Sequence, residues 1–216
     1  MLRLALLACL LAPPALACET ALVLSIDVSG SIDGGEYLLQ TEGLAAALSD
    51  PEVAEALVRG QVALSVIQWS GLDQQAVVLP WQRMLTPEAV TRFARDAAAV
   101  DRAFYGSDTA VGQGLRFAAA QFAAVLDCAR RVIDISGDGQ ENAGFTDSAA
   151  RAEAMDLGLM INAIAIEEPG PAFPITNYYR RWVITPGGFV VSARGLQDYA
   201  ETLRLKLLRE LTKPIG

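Results

Sequence analysis

The sequence predicts an α/β fold: a mainly parallel sheet with helices on both faces and one antiparallel edge. Three observations lead there. Short apolar runs rich in Val and Ile, at residues 21–26, 131–135 and 160–166, are bounded by turn residues, as expected of strands buried on both faces. Between them lie stretches of helical periodicity with recognisable starts, so successive strands are joined by crossovers. Two of the runs end by releasing an Asp into a Gly-containing turn, Asp27 in ALVLSIDVSGS and Asp138 in IDISGDG. In an open parallel sheet, that carboxyl end is where ligands bind.

The elements follow in order. Residues 1–17 carry a lone Arg3, an apolar Leu/Ala run and Ala15-Leu16-Ala17 as a small-x-small cleavage site, the pattern of a secretory signal peptide. Pro13 and Pro14 interrupt that run, which is shorter than the roughly 20 residues a spanning helix needs. The expected mature chain starts at Cys18 and keeps about 199 residues, enough for one domain over 18–216. A lipid-modified Cys18 is the alternative, although Ala15 stands where such sites favour Leu. No later segment is apolar enough over a sufficient length to cross a bilayer, so a periplasmic or secreted protein is expected.

After the first strand, Asp33 with Glu36 three residues on marks a capping box for a helix reaching about Leu48, so Asp33 is read as a cap and not a ligand. Ser49-Asp50-Pro51 starts a second helical piece that Gly60 ends. Residues 61–69 and 75–79 read as a hairpin placing an antiparallel strand at the sheet edge, closed by Pro80 and Trp81. Thr86-Pro87-Glu88 starts a helix to about Val100, and an Ala-rich helix spans about 110–126, with Thr109 at its start and Asp108 read as its cap. A strand at 131–136, a helix at 146–157 and a strand at 160–166 follow, then a Pro-rich loop at 167–174. Residues 178–182, YYRRW, mix aromatics with Arg and read either as a partner surface or as ordinary packing between the last two strands. Trp69 and Trp81 flank strands and read as packing. A strand at 188–192 and an amphipathic helix at 197–211, with Leu203, Leu207 and Leu211 on one face, complete the chain.

Composition removes several function classes. The formal charge is −8 and the basic pairs Arg130-Arg131 and Arg180-Arg181 are sparse, which argues against nucleic acid. With no His in the chain, Ser-His-Asp and Cys-His mechanisms are excluded. Neither a Gly-x-Ser-x-Gly elbow nor a Lys-containing phosphate loop is present. Metal-assisted hydrolysis would want a base near the cation, for which Glu141 is the nearby candidate. Cys18 and Cys128 each precede an apolar strand. If those strands are parallel neighbours, their entrances meet and a disulfide is reasonable in an oxidising compartment; the alternative is two buried thiols.

Three loops then offer oxygen donors at one sheet edge: Asp27, Ser29 and Ser31 after the first strand, Thr109 before a helix, and Asp138 after the strand at 131–136. Singly, Ser31 and Thr109 would read as caps and Asp138 as a turn residue with Gly139. Together, Asp-x-Ser-x-Ser, a Thr and an Asp followed by Gly resemble the metal-ion-dependent adhesion site of the von Willebrand factor A domain, with all five positions filled as in that family. IDVSGSID, QWSG and IDISGDG resemble a secreted bacterial branch of it. The resemblance implies a doubly wound, six-stranded sheet and one divalent cation, magnesium or else manganese or calcium. It also implies a protein partner whose Asp or Glu replaces a metal-bound water. Chemistry agrees: two carboxylates offset a +2 ion, and three hydroxyls ligate without adding charge. Glu141 and Asn142 sit close enough in sequence to tune the site. The expected function is an exported, non-enzymatic binding module; the alternative is a periplasmic scaffold without metal-dependent capture.

Overall fold

The computed structural model describes residues 18–106, 108–167 and 174–212. Residues 1–17, where a signal peptide is expected, and most of the Pro-rich loop, 168–173, lie outside the described residues. A six-stranded sheet has the order β3-β2-β1-β4-β5-β6, formed by β1 (Thr20–Asp27), β2 (Ala63–Trp69), β3 (Gln75–Arg83), β4 (Arg130–Gly137), β5 (Met160–Glu167) and β6 (Val190–Arg194). All neighbours are parallel except β2 and β3. Every residue of β1 and β2 is buried, which is why these strands show runs of apolar residues and no alternation.

Alternate side chains feed two cores. Leu22, Leu24 and Ile26 of β1 pack under α1 (Gly34–Ser49), α2 (Pro51–Arg59), α3 (Pro87–Ala98) and α7 (Tyr199–Leu211). Ala21 and Val23 face α4 (Val111–Gln121), α5 (Asp147–Asp156) and the short α6 (Ile175–Tyr178). Leu203, Leu207 and Leu211 are buried, as the spacing on α7 predicts. The helix starts follow their sequence signals. Asp33 Oδ1 accepts from Gly35 N and Glu36 N at 2.7 and 2.8 Å, and Glu36 Oε2 accepts from Asp33 N at 2.7 Å. Asp50 and Thr86 cap α2 and α3.

Three boundaries differ from expectation. β3 does not close at Leu79 but runs through Pro80 and Trp81 to Arg83. Pro80 falls at a register shift on an edge strand, where its missing N–H leaves no ladder partner short. The Ala-rich helix stops at Gln121 and tightens into a 3-10 turn at Phe122–Ala124, because Phe122 drops into the core and Cys128 must return to the sheet. The last strand is displaced to Val190–Arg194 because Gly188 lies against the backbone of β5, where a Cβ would collide with Ile161 O.

Since β1 pairs with β4 in parallel, their entrances do meet, and Cys18 and Cys128 form a disulfide with a Cα–Cα distance of 4.5 Å. In this bridge the Cys18 sulfur is bonded to Cys128.

Candidate metal centre

β1 leads to β2 on one side of the sheet and β4 leads to β5 on the other, so the crevice between their carboxyl ends is the point where strand order reverses. Asp27 is the last residue of β1 and is fully buried. Its Oδ1 accepts the Ser29 N–H at 2.8 Å, whereas Oδ2 has no hydrogen-bond partner. Ser29 Oγ lies 3.3 Å from Ser31 Oγ and accepts from the Thr109 hydroxyl at 3.1 Å. Ser31 Oγ donates to Asp138 Oδ1 at 2.7 Å. All five predicted oxygen donors therefore form one cluster, graded from buried Asp27, Ser29 and Thr109 through half-buried Asp138 to exposed Ser31.

Neighbouring residues hold each loop in place. Arg102 Nη2 donates to Val28 O and Ser29 O at 2.8 and 2.9 Å, which fixes the DVSGS turn. Gln68 positions the Arg102 segment in turn: its Oε1 accepts from Ala103 N at 2.7 Å and its Nε2 donates to Asp101 O at 3.3 Å. Thr109 N donates to Asn142 Oδ1 at 2.8 Å, and Thr109 O accepts from Asn142 N at 3.0 Å. Glu141 accepts from Gly112 N at 2.9 Å and from Thr146 N and Asp147 N at 2.7 and 2.8 Å, joining the starts of α4 and α5. Its carboxylate is thus committed to backbone amides and is not free as a base. The cap of α4 is Ala110, without a side-chain bond, so the reading of Asp108 as its cap is corrected: Glu141 supplies an acceptor there. Thr109 is released from capping and turns its hydroxyl to Ser29.

Gly137 shows how little room the floor of the site leaves. A Cβ there would sit 2.5 Å from Tyr179 Oη and 2.8 Å from Asp27 Oδ2. The electrostatics are strained as well: burial, and then the Asp138 carboxylate, push Asp27 up to about 7, against a smaller opposing pull from Ser29 and Arg102. Burial and the nearby Asp27 charge likewise raise Tyr179, whose hydroxyl is buried and without a hydrogen-bond partner. A donor set of two carboxylates and three hydroxyls, one carboxylate oxygen buried and unpartnered, fits a hard divalent cation. Among the described residues no group of three or more His, Cys, Asp or Glu side chains could hold a metal, so the candidate rests on this mixed set.

Sequence reasoning missed Arg102 and Gln68. Gln68 did leave a signal, an uncharged polar residue in the middle of an apolar strand; Arg102 left none. Of the two readings of residues 178–182, packing is the one the structure shows for the tyrosines: Tyr178 and Tyr179 are buried, and Tyr178 Oη accepts from Glu141 N and donates to Asp147 Oδ2. Only Trp182 is exposed among their aromatics, under the Arg181 guanidinium.

The topology and the position of this crevice are those of the von Willebrand factor A-like fold. Solved structures agree on the fold. The pilus adhesin SpaC from Lactobacillus rhamnosus GG, in its open conformation, superposes with a TM-score of 0.65 at 15% identity over 89% of this chain and 30% of that one. Proximal thread matrix protein 1 from the mussel byssus, with a zinc-occupied MIDAS motif, gives a TM-score of 0.65 at 18% identity over 89% of this chain and 48% of its own. The von Willebrand factor type A protein from Catenulispora acidiphila gives 0.60 at 18% identity over 93% and 44%. The chain spans less than half the length of each of these three. The chain itself belongs to the family described as "Protein of unknown function (DUF1194)", whose model matches residues 17–215. No curated protein sequence matches it.

Proposed function

We propose that this is a single exported domain over residues 18–216 that holds one divalent cation and binds a protein partner through an acidic side chain, without catalysing a reaction. Asp27, Ser29, Ser31, Thr109 and Asp138 would hold the ion, magnesium first and manganese or calcium in its place. When bound, the ion supplies an electrophilic point at which a partner's carboxylate can replace water. The observation that carries this reading is the clustering of five oxygen-bearing side chains from three loops, among them Asp27, whose Oδ2 is buried and unpartnered. An adhesin and a zinc-occupied site among proteins of the same fold support it. The disulfide supports an oxidising compartment, and among the described residues no helix is long and apolar enough to cross a membrane.

Calorimetric titration of magnesium and manganese into chelator-stripped protein is the test. The expected result is saturable binding near one ion per chain that disappears in Asp27→Ala. Absence of binding in the wild-type chain would favour the scaffold alternative.

A further inference from the structure

Two exposed apolar side chains stand beside the candidate site, on turns tied to the same short segment. Leu72, at the tip of the β2–β3 hairpin, is 47% exposed, and Phe145, just before α5, is 81% exposed. Ser70 Oγ donates to Asp108 O at 3.2 Å and Ser70 O accepts from Ala110 N at 2.9 Å, so the hairpin end is bonded across Thr109 from one side. Asn142 and Ala143 donate to Thr109 O at 3.0 and 3.3 Å from the other. The two turns meet at Gly144, where a Cβ would sit 2.9 Å from Leu72 Cδ2.

Both turns are held rigid. Gln75 Nε2 donates to Gly71 O and Leu72 O at 2.7 and 3.2 Å, and the Glu141 carboxylate closes the loop behind Phe145 through Thr146 N and Asp147 N. Phe145 is doubly unfavourable where it stands: a large aromatic in water, on a backbone at φ +50° that favours glycine. Folding of the domain gains nothing from a Phe at that position.

Resting on the function proposed above, we infer that Leu72 and Phe145 form a specificity contact for a partner segment in which the acidic residue is closely followed or preceded by an apolar one. The charge of the chain argues for this occupant. At a formal −8, long-range fields oppose an acidic partner, so short-range apolar contact beside the carboxylate has to supply affinity that steering does not. Both turns are bonded to the segment that carries candidate ligand Thr109, so the pair sits on the same end of the sheet as the acid's binding point.

The test uses the full mature chain and a displayed peptide library with a fixed central Asp and three randomised positions on each side, selected in magnesium. Enriched peptides are expected to carry Phe, Leu or another apolar residue next to the Asp and to elute with chelator. Against one such peptide, Phe145→Gly and Leu72→Ala should each weaken binding about tenfold while leaving magnesium titration unchanged. Leu126→Ala, which removes a still more exposed leucine at the opposite end of the sheet, should change nothing. Phe145→Gly should also unfold at the wild-type temperature or above, since glycine adopts the φ without strain. Peptides enriched without apolar preference, or full affinity in both variants, would overturn the contact while leaving the cation reading intact. Loss of magnesium binding in the wild-type chain would overturn both.

Discussion

At the scale of single residues, this site depends on atoms that are not ligands. Gly137 gives room to Asp27 and Tyr179, and Glu141 joins two helix starts with one carboxylate. Glu141→Ala leaves three backbone N–H groups without their acceptor and should destabilise the fold by about 2–4 kcal/mol, read as a lower urea midpoint at unchanged slope. The same variant should weaken magnesium, because the loop holding Thr109 loses its anchor. How much of this was legible divides by residue type. The five oxygen donors stand in an ordered pattern, and although Ser31, Thr109 and Asp138 each have a local explanation, only a shared site explains all five together. Arg102 carries no such mark, since a lone Arg in an irregular segment looks the same whether it is solvated or, as here, bonded to two carbonyls of the DVSGS turn.

At the scale of elements, legibility tracks local chemistry. α1, α2 and α3 begin at their caps because capping is decided within four residues. The end of α4 and the extent of β3 were misjudged because distant partners set them: Phe122 meets Trp81 at a ring separation of 5.6 Å, and Trp81 Nε1 donates to Gln121 O at 2.9 Å. The pairing of β1 with β4 makes the disulfide possible. With its cysteines 110 positions apart in sequence, replacing both by Ser should cost about 4–5 kcal/mol in the chain-entropy account, measured as the urea unfolding free energy of the double variant against the oxidised wild type.

At the scale of the whole molecule, a buried charge cluster joins β4 to α7 that no sequence pattern announced. Asp134 points from β4 toward α7 and is buried, with Lys206 Nζ 2.5 Å from its Oδ1 and 2.6 Å from Glu210 Oε1. One ammonium lies between two buried carboxylates. Burial, and then the Glu210 charge, push Asp134 up to about 8, although Lys206 pulls it down. A carboxyl raised on folding keeps a proton that the unfolded chain releases above about pH 4, so its stabilising contribution is complete below that pH and is lost as the pH rises to about 8. Urea unfolding between pH 5 and 8 should show a decline of at most about 1.4 kcal/mol per pH unit from this group, and Asp134→Asn should make it shallower, leaving the part that the raised Asp27 contributes up to about pH 7. An unchanged profile in the variant would place the proton elsewhere.

The position of the disulfide has a mechanical consequence. β1 and β4 lie side by side at the centre of the sheet, bonded covalently before their first residues and joined past their last ones by Ser31 Oγ and Asp138. Tension entering at Cys18 therefore passes into both strands at once, and the two move together, so the load has to shear the pair against its flanking neighbours β2 and β5. A load pulling between Cys18 and the crevice meets the sheet along its stiffest direction.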